Sequence, residues 1–68
     1  MSPRQQELVE AINQHINTHG YSPTQSELAE TLCVSRTRVE HIVSALERKG
    51  LIDRRPGLPR TLRVLASA

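Results

Sequence analysis

Apolar side chains recur along this chain at helical intervals before they change to an alternating pattern. Leu8, Val9, Ile12 and Ile16 are separated by polar Glu7, Glu10, Asn13, Gln14 and Asn17, a spacing that gathers one apolar face on an α-helix. Its ends are marked as well. Ser2 can cap it, Pro3 suits the first helical position because its missing N–H costs nothing there, and Gln5 completes a capping box. Gly20 stops it, so a helix is expected near residues 3–19. Tyr21-Ser22-Pro23 is extended by the pre-proline restriction and can supply a short strand. Thr24 and Glu27 then form a second capping box, and Leu28, Ala29 and Leu32 give a helix near 25–33 its buried stripe. At about 100° per residue, Val39, Ile42, Val43 and Leu46 share one side of a third helix near 36–49, opened by Ser35 and closed by Gly50.

After Gly50 the pattern changes. Leu51 and Ile52 begin one strand and Leu62, Val64 and Leu65 populate another, joined by Arg54-Arg55-Pro56-Gly57-Leu58-Pro59-Arg60. Pro56-Gly57 favours a type II turn, and Pro59 resists ladder pairing at the tip. A period of two turns Leu62 and Val64 inward and Thr61 and Arg63 outward. With neither repeats nor a linker, the chain reads as one domain over residues 1–68, mainly α with a small β-hairpin. The layout, three helices plus a wing near 51–65, is that of a winged helix-turn-helix.

Composition narrows the setting. No Phe or Trp is present and Tyr21 is the sole aromatic, so Leu, Ile and Val must build the core of a 68-residue domain, a size at which stability is modest. The lone cysteine, Cys33, excludes an internal disulfide and fits a reducing compartment. No apolar stretch approaches membrane length and no leader-like run follows the first residues. A cytoplasmic protein is expected, with no membrane partner.

Charge changes the picture more through its distribution than its total. The net charge is only +2. Up to Val34, Arg4 faces Glu7, Glu10, Glu27 and Glu30, which leaves −3; beyond it, Arg36, Arg38, Arg48, Lys49, Arg54, Arg55, Arg60 and Arg63 against Glu40, Glu47 and Asp53 leave +5. Such polarity suits one face turned to a polyanion, and eight of the nine cations are arginine, the side chain that forks onto phosphates and guanine edges. A solvated basic surface is the plainer alternative. On the third helix Thr37, His41, Ser44 and Arg48 lie opposite the apolar side, Arg38 and Glu40 flank them, and Arg36 sits in the first turn. Its early outward positions are polar or cationic, and these are the positions that enter a major groove in a helix-turn-helix. An amphipathic helix that merely meets water has the same polar side. The wing arginines can reach a phosphate or a minor groove, although charged hairpin tips also discourage edge pairing.

Other chemistry has little support. His15 and His19, four apart, can share a metal in principle, but no third ligand is placed by the sequence, and partly packed histidines are the better reading. Cys33 reads as a small residue in the turn in preference to a redox sensor. Neither a Gly-rich phosphate loop nor a nucleophile–base constellation is present in the sequence, so neither an enzyme nor a cofactor is expected.

Several segments carry a resemblance: Arg4-Gln5-Gln6-Glu7, Gly20 with Pro23-Thr24, Glu27-Leu28-Ala29, Glu40-His41, and Ala45-Leu46-Glu47-Arg48-Lys49-Gly50-Leu51-Ile52. In this order and spacing they resemble the N-terminal DNA-binding domain of the LexA repressor family, from about Ser2 to Leu65. The resemblance implies a winged helix-turn-helix that binds operator DNA sequence-specifically and represses transcription. Base-reading positions then fall among Arg36, Thr37, Arg38, Glu40 and His41, with Thr24, Gln25, Ser26, Ser35, Ser44, Arg48, Arg54, Arg55, Arg60 and Arg63 as candidate contacts to the DNA backbone. The expected partner is double-stranded DNA bearing an inverted repeat, with a weak or DNA-induced homodimer. The base-contact residues differ from the family's better-known set, so its operator is not carried over. The turn before the third helix is compact and puts Cys33 where the family commonly has glycine; a left-handed conformation there costs roughly 1 to 2 kcal/mol. The family's repressors continue into a self-cleaving protease domain, whereas this sequence ends at Ala68. The expectation is a LexA-like repressor lacking that domain, either excised or free-standing. The alternative is a winged-helix module that binds an acidic protein as an inhibitor or adaptor.

Overall fold

In the computed structural model, which describes residues 2–55, 57–58 and 60–65, three helices lead into an antiparallel hairpin. They are α1 Pro3–His19, α2 Gln25–Leu32 and α3 Arg36–Arg48, followed by β1 Ile52–Asp53 and β2 Arg63–Val64. Each helix starts on a hydroxyl. Ser2 Oγ accepts the Gln5 N–H and the Gln5 side chain accepts the Ser2 N–H, both at 3.2 Å. Thr24 Oγ1 accepts the Glu27 N–H at 3.1 Å while the Glu27 carboxylate accepts the Thr24 N–H at 2.8 Å. Ser35 Oγ accepts the Arg38 N–H at 3.1 Å. These bonds satisfy first-turn donors that have no partner inside the helix.

The ends of α2 and α3 are closed alike. Val34 N–H donates to the Ala29 carbonyl at 3.0 Å and Cys33 N–H to that of Glu30 at 3.3 Å; Leu51 N–H donates to Leu46 and Gly50 N–H to Glu47, both at 3.0 Å. Both are Schellman closures, which require one left-handed residue. In α3 that residue is Gly50, at φ +75°; in α2 it is Cys33, at φ +57°. Closure therefore ends α2 at Leu32 and α3 at Arg48, each one residue short of the periodicity-based expectation. Tyr21-Ser22-Pro23 lies outside the sheet, which holds only β1 and β2 among the described residues.

One apolar cluster joins every helix to the hairpin. Leu8 and Ile12 from α1, Leu28 from α2, and Val39, Ile42, Val43 and Leu46 from α3 meet Ile52 and Leu62, all buried. This is the stripe that the helical spacing selects, and its burial is the main stabilising term in so small a domain. The strands pair Ile52 with Val64 and Asp53 with Arg63, and Leu65 N–H extends the ladder to the Leu51 carbonyl at 2.8 Å. Leu62 is buried and Arg63 exposed, as alternation requires. Thr61 departs from its outward expectation. Its hydroxyl turns back into the hairpin, accepting the Arg55 N–H at 2.9 Å and lying within donor reach of the Leu58 and Arg55 carbonyls at 3.1 and 3.3 Å. At the tip the Leu58 N–H donates to the Arg55 carbonyl at 3.2 Å, with Gly57 at φ +79°. Pro56 and Pro59, on which the turn and ladder-break readings rest, lie outside the described residues.

Candidate nucleic-acid interface

The core stripe fixes which face of α3 looks outward. With Val39, Ile42, Val43 and Leu46 buried, Ser35, Arg36, Thr37, Arg38 and His41 are all exposed. The Ser35 cap holds the first turn at this edge. Arg48 is exposed in the last turn, whereas Ser44 is half-buried. At the start of α2, Thr24 and Gln25 are half-buried and Ser26 is exposed. An open groove lies between these helix starts and the wing, bordered by Thr24, Gln25, Arg36, Glu40, Arg54 and Arg55. Arg60 borders it too, so candidate residues from the start of α2, from α3 and from the wing that are as many as 36 positions apart (24 to 60) come together. Ser26, Ser35, Thr37, Arg38, His41, Ser44, Arg48 and Arg63 do not border it.

Folding sorts the wing arginines in a way that charge counting does not. Arg54 is only 21% exposed in its side chain. Its Nη2 and Nη1 donate to the Glu40 carboxylate at 2.9 and 3.1 Å, and its Nε lies 3.4 Å from Glu47 Oε1. Hydrogen bonding from Arg54 holds the Glu40 carboxyl below the ordinary glutamate range, with smaller help from Gln25 and Ser44 and against the desolvation that raises it. Glu40, a candidate base reader, thus has its carboxylate engaged by the wing. Arg60 Nη1 donates to Glu27 Oε1 at 2.9 Å and to the Ser22 carbonyl at 3.3 Å, while its guanidinium lies 4.6 Å from the centre of the Tyr21 ring. Arg63 pairs with Asp53 across the ladder at 3.2 Å but is exposed, an arrangement that contributes little. Arg55 has no acidic partner among the described residues, and the same holds for Arg36, Arg38 and Arg48.

Glu27, Glu47, Tyr21 and Thr61 are the structural residues that sequence reasoning missed as parts of this surface. For Glu27 the capping box concealed a second role. The backbone N–H of Thr24 holds its carboxyl below the ordinary range first, and Arg60 adds to this. The histidines belong to the same corner: His15 and His19 have ring centroids 4.3 Å apart, and each lies 5.5 Å from Tyr21. Among the described residues no three potential metal ligands come together. No helix there is long and apolar enough to cross a membrane.

Comparison with known proteins agrees with this architecture. Residues 1–61 match the family described as the LexA DNA binding domain. The chain is 36% identical over 66 residues to the LexA repressor of Pseudarthrobacter chlorophenolicus, covering 96% of this chain and 26% of that protein. Identity is 40% over 65 residues to that of Saccharophagus degradans, covering 94% and 32%. It is 37% over 68 residues to that of Geobacillus thermodenitrificans, covering 98% and 33%. The chain spans about a quarter to a third of the length of these relatives. It belongs to the LexA DNA-binding domain family.

Proposed function

We propose that this chain binds double-stranded DNA sequence-specifically and acts in transcriptional repression in the cytoplasm, with the start of α3 in the major groove and the wing beside it. The observation that carries the reading is the exposed edge of Arg36, Thr37, Arg38 and His41 on a helix whose opposite face is locked into the core. Base edges in the major groove present a distinct donor and acceptor pattern for each pair, and this edge offers short polar and forked cationic groups to them. Arg55 supplies backbone contact from the wing, together with Ser35 and the start of α2. Glu40 contributes through its hold on Arg54.

A single module of this size buries only about 600 to 1,000 Å² on DNA, so two copies on an inverted repeat bind better than one on a half-site. The protein is then a monomer that pairs on its operator. Selection from random duplexes, followed by titration of the preferred and scrambled sites, tests the reading. The expected result is a defined half-site and a slope of log K against log salt of about −4 to −5, for four to six phosphates neutralised. Equal binding to both duplexes would overturn it.

A further inference from the structure

We infer that Arg60 is a positioning residue: through Glu27 it docks the wing on the corner between α1 and α2, and so sets where the wing meets the duplex. The inference rests on the DNA-binding reading above, and assigns within it a task that neither charge nor family resemblance assigns.

Arg60 is 41% exposed in its side chain, yet both ends of its guanidinium are engaged. One end of its guanidinium meets Glu27 Oε1 at 2.9 Å and the Ser22 carbonyl at 3.3 Å, the other meets Glu27 Oε2 at 3.4 Å, and its Cζ lies over the Tyr21 ring, 4.6 Å from the centre. These partners all come from residues 21–27, more than thirty positions earlier in the chain. Glu27 is itself oriented, because its Oε1 also accepts the Thr24 N–H at 2.8 Å; swinging toward another partner would open the α2 cap. The backbone at Arg60 is left-handed, at φ +60°. A long side chain stays in that region only where its surroundings over-determine it. The base of the wing is held separately, by Ile52 and Leu62 in the core and by Arg54 on Glu40 and Glu47; Arg60 ties the returning arm to the α1–α2 corner. Turning Arg60 Nη1 onto a phosphate would break its bonds to Glu27 Oε1 and to the Ser22 carbonyl together. Arg55, near the same tip and without an acidic partner among the described residues, faces no such cost.

The test uses the full chain, its selected duplex, and the variants Glu27→Gln, Arg60→Lys, Arg60→Ala and Arg55→Ala. The amide introduced by Glu27→Gln keeps a carbonyl oxygen for the Thr24 N–H, so the cap survives; circular dichroism verifies folding, and titrations are run well below each unfolding midpoint. Glu27→Gln, Arg60→Lys and Arg60→Ala are each expected to weaken binding by about 3- to 10-fold, as the docked wing becomes a smaller fraction of the ensemble. The salt slope should hardly change in these three, whereas Arg55→Ala lowers it by about 1. Hydroxyl-radical protection should fade beside the wing and persist under α3, a separation that general destabilisation would not produce.

Three results overturn the inference: Glu27→Gln binding as tightly as the parent or tighter, as expected when an acid near a polyanion is merely neutralised; Arg60→Lys retaining full affinity, as a simple phosphate contact would; or Arg60→Ala losing a full unit of slope. A parent chain that binds no duplex overturns the DNA-binding reading itself, and this inference with it. The two failures are therefore distinguishable.

Discussion

Arg54 in the wing forks onto Glu40 of α3, Nη2 to Oε1 at 2.9 Å and Nη1 to Oε2 at 3.1 Å. A two-point contact between guanidinium and carboxylate fixes an angle as well as a distance, so the chain leaving β1 is held against the helix face that carries Arg36. The two side chains are 21% and 44% exposed, and solvent weakens the pair accordingly. A double-mutant cycle of Glu40→Ala and Arg54→Ala in urea should give a coupling of about 0.5 to 1 kcal/mol. Strictly additive losses would mean that the pair contributes nothing to stability.

The helix and the wing should fail differently on DNA. Arg38→Ala or Thr37→Ala should relax discrimination at particular base pairs by about 1 to 3 kcal/mol where a two-point contact is lost. Arg55→Ala should weaken all sequences by a similar factor, because phosphate contacts hold position without reading sequence. Titration against a panel of single-base variants separates the two. A shift in preferred site on changing Arg55 alone would reverse the assignment of α3 and the wing.

Cys33→Gly should stabilise the fold. The residue closes α2 in the left-handed conformation that Gly50 supplies for α3, and relief of the Cβ conflict outweighs the extra freedom of glycine in the unfolded chain. A gain of about 1 kcal/mol corresponds to a rise in melting temperature of roughly 4 to 8 °C for a domain of this size. Gly50→Ala should act oppositely, by a similar amount. A thermal melt of both variants checks the pair, and an unchanged or lower midpoint for Cys33→Gly would contradict the strain argument.

Much of this was readable from local rules. The caps at Ser2, Thr24 and Ser35 each depend on residues within three positions of one another, and the buried stripe of α3 depends on one helical period. The wing contacts follow no such rule. Arg54 meets Glu40 across 14 positions and Arg60 meets Glu27 across 33, so neither pair leaves a local signature. Counting formal charges placed four arginines on the wing as equivalents; the fold engages two of them with acids from α2 and α3. Glu40 shows the same limit from the other side. Its place on the outward flank of α3 follows from the helical period, but its engagement by Arg54 depends on where the hairpin returns.

Acid should loosen the fold through two carboxyls. Glu27 is held below the ordinary glutamate range first by the Thr24 N–H and then by Arg60, and Glu40 is held there chiefly by Arg54. A folded-state value lower than the unfolded one contributes stability that is present above the unfolded value and is lost as pH falls through the folded one. The urea midpoint should therefore decline as pH drops below about 4.3, the ordinary glutamate value. The double variant Glu27→Gln, Glu40→Gln should flatten that decline. An equally steep decline in the double variant would place the acid sensitivity elsewhere.

The choice of Tyr21 as the platform under Arg60 has an optical consequence. The chain contains no Trp and no Phe, so near-ultraviolet absorption and emission come from this one phenol, 4.6 Å from a guanidinium carried by the wing. Undocking the wing removes that cation from the ring and changes its exposure to water. The unlabelled protein thus carries a single aromatic chromophore at the contact between wing and helical body, and a change in its emission on titration with DNA or salt is the expected sign that this contact is made or broken.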